Sequence, residues 1–196
     1  MKRLFDVSAS VFACLLLLPF FCVISLIIML ESRGGIYYSQ QRVGKNNKDF
    51  KLLKFRTMRV GSDKHGLLTV GDKDARITRF GYFLRKYKLD ELPQLFNILK
   101  GDMSIVGPRP EVRKYVDLYD VRQRQVLSLL PGLTDYASLA YISESEILSA
   151  SDNPEQTYID EIMPRKIELN LKYIQNQGMI EDMKIIFKTL FSILKK

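Results

Sequence analysis

From Phe5 to Leu30 the chain is almost wholly apolar, interrupted only by Asp6, Ser8, Ser10, Pro19 and Ser25. As one straight helix this run would reach about 39 Å, more than the ~30 Å hydrocarbon core of a bilayer. Lys2 and Arg3 give it the basic start of a signal peptide. The apolar run is too long for one, however, and no small-x-small cleavage site precedes Glu31-Ser32-Arg33. Pro19 removes a backbone donor and crowds the preceding turn, so a kink is expected there. The halves on either side would be about 21 Å and 17 Å long, each too short to cross alone. Two readings stay open on these grounds: a kinked span, and a re-entrant helix that returns both ends to one face. The excess of Lys and Arg from Arg33 to Arg59 places the body on the cytoplasmic side. Lys2 and Arg3 are awkward for a span and natural for a re-entrant anchor.

The remaining body is large enough for a modest core, and 196 residues suggest one domain plus an attachment. We expect residues 1–32 to form the anchor and residues 33–196 a small, α-rich α+β catalytic domain in the cytosol. A formal charge of +8 suits nucleic acid, an anionic membrane surface or a polyphosphate. No nucleic-acid module is recognisable. Cys14 and Cys22 both lie in the apolar run, which fits a reducing compartment. His65, the single histidine, sits in a polar stretch and cannot make a zinc site alone. Any metal must therefore be a hard cation held by carboxylates.

Short strands are expected at Ile36–Ser39 and Phe50–Phe55 around the turn Gly44–Asn47, and a Gly-containing loop over Gly61–Asp74. Ile77–Leu89 has helical spacing, with Phe80, Phe83, Leu84 and Tyr87 on one face. A second helix is expected from Asp90, as N-cap, to about Leu99, where Gly101 ends it. Glu111–Leu130, between prolines, reads as a third. A last helical region opens at Pro154 and breaks at Gly178. Beyond the break, Ile180, Met183, Phe187, Leu190 and Leu194 repeat at helical spacing among lysines. Such a stripe suits an anionic interface or burial against the body.

The densest chemistry is Lys86-Tyr87-Lys88-Leu89-Asp90-Glu91-Leu92-Pro93-Gln94-Leu95. Two adjacent carboxylates at a helix start can simply cap it and favour its dipole. The same position can keep Asp90 ionised as a nucleophile towards phosphorus, with Glu91 placed to hold Mg²⁺. Candidate phosphate-binding cations surround the pair in sequence: Lys54 and Arg56 flanking Phe55, then Arg76, Arg79 and Arg85. Arg109 stands between Pro108 and Pro110, which stiffen its backbone. Arginine forks match phosphate oxygens.

The motifs Lys54-Phe55-Arg56-Thr57-Met58, Asp74-Ala75-Arg76-Ile77-Thr78, Leu89 to Leu95, Lys100 to Glu111 and Pro131-Gly132-Leu133-Thr134 together resemble the bacterial sugar transferase family. These are the monotopic phosphoglycosyl transferases that begin glycan synthesis. The resemblance runs in order from about Lys2 to about Leu139. It implies a UDP-sugar donor, a polyprenol phosphate acceptor and a covalent phosphosugar intermediate on Asp90, with release of UMP. It makes Glu91, with Asp90, the Mg²⁺ site, and Lys54, Arg56, Arg85 and Arg109 phosphate-binding residues. Arg76, Thr78, Thr134, Asp135 and Tyr136 fall near the nucleotide or sugar. It also implies a re-entrant helix broken at Pro19, interfacial amphipathic helices and a minimal, single-anchor type on the cytoplasmic face of the inner membrane, with room for an oligomer. Many members follow Pro-Gly-Leu-Thr with Gly-Trp-Ala-Gln. Here Asp135-Tyr136-Ala137-Ser138 stands in that place, which leaves the sugar open. Two competitors are a basic membrane-tethered binding module and a direct glycosyl transferase, which would release UDP.

Overall fold

The computed structural model describes residues 1–62 and 74–195. His65 and residues 63–73 of the expected polar loop lie outside them. The apolar run forms one helix, α1 (Lys2–Glu31), which continues through Pro19. Its most apolar window of 18 residues has a mean hydropathy of 3.0, enough by length and composition to cross a membrane. One stripe is buried against the body: Phe21, Ile24 and Ile28 pack with Phe55 and Leu84. The Phe21 ring lies 5.2 Å from that of Phe55 and 5.7 Å from that of Phe96. The other side exposes Phe12, Leu15, Leu16, Phe20 and Val23.

Polar contacts fasten both ends of α1. At the start, the buried Asp6 carboxylate accepts from Ser104 Oγ at 2.8 Å and the Ile105 amide at 3.1 Å. Arg3 Nη1 donates to the Ile98 carbonyl at 2.7 Å, at the end of α3 (Gln94–Lys100). There a cation meets the negative pole of the helix. Lys2 pairs with Asp182 of α9 (Met179–Leu194). At the other end, Glu31 Oε1 accepts from the Phe80 amide at 2.9 Å.

The antiparallel hairpin β1 (Tyr37–Val43) and β2 (Asp49–Phe55) is longer than expected and turns at Gly44–Asn47. Beyond it, α2 (Arg79–Lys86) is shorter than Ile77–Leu89, because the Thr78 hydroxyl accepts from the Gly81 amide at 2.9 Å and caps the helix. Asp90 is not the N-cap of the next helix. Lys88 takes a left-handed conformation (φ 57°), Leu89–Glu91 form a 3-10 turn, and α3 begins after Pro93. Pro93, with φ fixed by its ring and no N–H to give, stands at the N-cap position of α3 instead.

The Glu111–Leu130 helix is also corrected. Only α4 (Arg113–Val116) and a 3-10 turn at Gln123–Ser128 form there. Asp120 and Gln123 close a reciprocal box, each side chain accepting from the other's amide at 2.7 Å and 3.0 Å. That local satisfaction starts a new turn and interrupts the old one. Two short parallel strands, β3 (Ser104–Val106) and β4 (Gly132–Thr134), follow the body's middle. Gly107 and Gly132 let their backbones nearly touch: a Cβ on Gly132 would lie 2.1 Å from the Gly107 nitrogen.

The C-terminal part comprises α5 (Tyr136–Ala140), α6 (Glu144–Ser149), α7 (Pro154–Thr157) and α8 (Met163–Asn176), with Leu148 of α6 and Ile167 of α8 packed in one core with Tyr115 and Val116. In α9, Ile185 is buried with Val106 and Tyr173, while Ile180, Phe187, Leu190 and Phe191 stay exposed.

Candidate active site

Strand β2, the 3-10 turn after α2, and the Pro108-Arg109-Pro110 segment meet at one point. The turn brings Asp90 and Glu91 inward, and both are buried. Lys54, near the end of β2, reaches Glu91 Oε1 with Nζ at 3.1 Å. Arg109 holds Glu91 from the other side, with Nη2 2.5 Å from Oε1 and Nη1 3.4 Å from Oε2. Arg109 is positioned in turn: its Nη1 donates to Ser138 Oγ at 3.3 Å, and Ser138 Oγ and amide both donate to the buried Asp135.

The two carboxylates are therefore in different states. Burial pushes Glu91 upward, but Arg109, Lys54 and Lys88 together outweigh it, so its carboxyl sits well below the usual range. Burial raises Asp90 above its ordinary value, opposed mainly by Lys54 and reinforced by the charge of Glu91. Among the described residues, no hydrogen bond ends on the Asp90 carboxylate. The cations respond in kind. Burial lowers Lys54, offset by Glu91 and Asp90, while the Glu91 charge raises Arg109. The result is one carboxylate whose charge two neighbouring cations favour, beside another whose charge burial disfavours.

The remaining expected site residues lie as follows. Arg85, on α2, donates from Nε to Thr57 Oγ1 at 3.2 Å and acts electrostatically on Asp90. Arg56 Nη2 turns to the end of α1, donating to the Ser32 carbonyl at 2.7 Å. Arg76 pairs with Asp74 at 2.6 Å, and Thr78 caps α2. Thr134 Oγ1 donates to the Ile105 carbonyl at 2.9 Å, tying β4 to β3. Tyr136 faces α9: its hydroxyl donates to Glu181 at 2.5 Å, and Lys188 Nζ lies 5.4 Å from its ring centre. The structure thus gathers Lys54, Arg85, Arg109 and Asp135 about the carboxylate pair, and gives Arg76, Thr78, Thr134 and Tyr136 other partners. Ser138 was not singled out from sequence as part of the site. Its signal was the Asp-x-x-Ser spacing of an N-cap.

The buried carboxylate pair, with cations around it, thus lies in a body packed against a helix long and apolar enough to cross a membrane by length and composition. The family model described as bacterial sugar transferase matches residues 1–196, and the chain belongs to that family. It is similar to the UDP-N-acetylgalactosamine-undecaprenyl-phosphate N-acetylgalactosaminephosphotransferase of Aeromonas hydrophila, 39% identical over 98% of this chain and 43% of that protein. The undecaprenyl-phosphate glucose phosphotransferase of Komagataeibacter xylinus is 36% identical over 96% of this chain and 35% of its own length. The exopolysaccharide production protein PSS of Rhizobium leguminosarum bv. phaseoli is 36% identical over 100% of this chain and 96% of that protein. The chain therefore spans less than half of the first two relatives and nearly all of the third.

Proposed function

We propose that the chain moves a sugar 1-phosphate from a UDP-sugar to polyprenol phosphate, with Asp90 carrying the phosphosugar between them. The observation behind this reading is the division within the pair: Glu91 is clamped by two cations, while Asp90 is buried and takes no hydrogen bond from the described residues. A carboxylate whose charge is under-compensated is a stronger nucleophile than one tied up in ion pairs. An Asp90 oxygen attacks the phosphorus bearing the sugar, the bond to the bridging oxygen breaks, and UMP leaves with that oxygen and its electron pair. A polyprenol phosphate oxygen then attacks the same phosphorus. The acyl phosphate bond breaks, Asp90 returns as a carboxylate, and the polyprenyl diphosphate sugar departs. The names of the relatives, which pair undecaprenyl phosphate with sugar phosphotransfer, support this donor and acceptor.

Mg²⁺ fits the pair. A carboxylate offers roughly four lone-pair positions, and the described donors to Glu91 use three of them. Asp90 offers the second carboxylate, and this ion asks for one or two beside substrate phosphates. Bound there, it would draw charge from the diphosphate oxygens. The protein's own part is to keep Glu91 ionised, to fix Arg109, and to exclude water from Asp90.

The same reading takes α1 as a re-entrant anchor that enters and leaves by the cytoplasmic face. Lys2, Arg3 and Asp6 at one end and Glu31 at the other are held by one body. An upright helix of about 45 Å would put those ends on opposite sides of the bilayer. The exposed stripe of α9 suits the interface beside it.

The test incubates purified protein in nanodiscs with Mg²⁺, polyprenol phosphate and a panel of UDP-sugars. UMP release that disappears in Asp90→Asn supports the reading; UDP release, or full activity in Asp90→Asn, overturns it. For topology, Leu4→Cys in a Cys14→Ser, Cys22→Ser background should label from the cytoplasm. Periplasmic labelling would mean a true span.

A further inference from the structure

Among the described residues, Arg56 is a buried cation with no carboxylate partner. The residue is 7% exposed, and its Nη2 donates to the Ser32 carbonyl at 2.7 Å and to Ser32 Oγ at 3.0 Å. Its Nε and Nη1 are buried and meet no acceptor. Among the described residues no carboxylate pairs with it, whereas Arg109 and Lys54 have Glu91, Arg42 has Glu111 and Arg76 has Asp74. A guanidinium does not escape burial by losing its proton. Burying one with open donors and no counter-charge is strongly unfavourable, so the arrangement calls for an anion.

Its position says which anion. Ser32 is the C-cap of α1, the point where the apolar helix leaves for the body. On the other side, the next residue, Thr57, accepts from Arg85, whose charge acts on Asp90. Arg56 therefore stands between the exit of the anchor and the reaction centre, apart from the cations that grip Glu91. Its cover is thin. Gly34, with φ at +127°, lies so close that a Cβ there would fall 2.0 Å from Arg56 Nη1, and exposed Val60 closes the same side.

We propose that Arg56 and Ser32 form the seat for the phosphate monoester of the isoprenoid acceptor, beneath a cover made by Gly34 and Val60. The proposal rests on the phosphosugar transfer above, since only its acceptor arrives from the bilayer. A monoester carries about 1.5 to 2 negative charges at neutral pH and takes several donors at once, which matches the open edges of the guanidinium. Glycine at position 34 lets the cover lie directly on Nη1 and swing aside, because no side chain is wedged there.

The test measures binding of farnesyl phosphate to the full chain in detergent, on the Asp90→Asn background so that no transfer occurs. Farnesol, inorganic phosphate and UDP are measured alongside. Arg56→Gln is expected to weaken farnesyl phosphate by about tenfold or more, to leave farnesol unmoved and to change UDP by less than about twofold. Arg56→Lys keeps the charge but loses the fork, so it should show an intermediate loss; it carries the test if Arg56→Gln does not fold. Ser32→Ala should weaken farnesyl phosphate in the same direction by a smaller factor. Unchanged farnesyl phosphate binding in both Arg56 variants overturns the proposal. So does an equal loss of UDP, which would assign Arg56 to the donor, or inorganic phosphate binding as tightly as the lipid. Because these are binding measurements, they stand even if turnover releases UDP and the transfer mechanism fails.

Discussion

Arg109 grips both oxygens of Glu91, at 2.5 Å and 3.4 Å, from a backbone locked between two prolines. The contact joins segments 18 residues apart, and Asp135 steadies it from a third through Ser138. A fork so fixed gives Glu91 one orientation and favours its charged form, and that charge in turn raises the pKa of Asp90.

Removing that grip should damage both fold and turnover. Arg109→Ala leaves a buried carboxylate short of its main partner, a loss of about 3–5 kcal/mol, to be read by denaturant unfolding in detergent. Arg109→Lys keeps the charge without the fork. It should retain most of the stability while UMP release falls by roughly tenfold or more. Wild-type turnover in Arg109→Lys would show that the bidentate geometry is dispensable.

Asp90→Asn should lose UMP release without losing stability. Burial raises the Asp90 pKa, so its charged form is disfavoured in the folded state relative to the unfolded chain. At neutral pH the neutral isostere should melt no lower than wild type, and slightly higher. The advantage should shrink as pH falls through the folded Asp90 pKa, where wild type becomes neutral as well. Thermal melts across pH 4–8 check this, and a clear drop in melting temperature at pH 7 would contradict it.

The pH dependence of UMP release follows from the same carboxylate. Asp90 attacks only when ionised, so activity should fall on acidification at a pH above the ordinary aspartate value of about 3.9. Lys54 is the main opponent of the upward shift. In Lys54→Met the acid limb should therefore move further up, at reduced maximal rate. Glu91 works with the opposite sign: its depressed pKa contributes stability above the unfolded value, lost as pH falls through the folded one. An acid limb that stays in place in Lys54→Met would refute the assignment.

The start of α1 should depend on Asp6. Asp6→Ala strips the acceptor from Ser104 Oγ and the Ile105 amide, a cost of about 1–3 kcal/mol for each donor left buried. Asp6→Asn, which keeps a carbonyl oxygen, should lose less. Melting in detergent reads the order wild type, Asp6→Asn, Asp6→Ala; equal melting of all three would mean that the anchor is held by its apolar stripe alone.

Some of this was legible along the chain because its causes are local. The length and apolarity of α1, the alternation and turn residues of the β1–β2 hairpin, and the gathering of cations near Asp90 and Glu91 are properties of neighbouring residues. The Glu111–Leu130 segment misled because its flanking prolines look like the ends of one helix, while inside it Asp120 and Gln123 satisfy each other's amides and open a new turn. Capping by Asp90 failed because Lys88 turns left-handed and Leu89–Glu91 close a 3-10 turn ahead of α3.

What sequence alone determined, then, is the inventory: a long apolar segment with a proline, a basic body, and two adjacent carboxylates in the motifs of a family. Only tertiary structure decided how those carboxylates differ. Asp90 and Glu91 are chemically near-identical neighbours, and nothing local separates them. Their states diverge because Lys54 from β2 and Arg109 from beyond β3 both hydrogen-bond Glu91, whereas at Asp90 burial outweighs the more distant pull of Lys54. The Asp6–Ser104 bond, across 98 residues, is of the same kind. Contacts between distant segments are set by packing, and burial sets the electrostatics that follow.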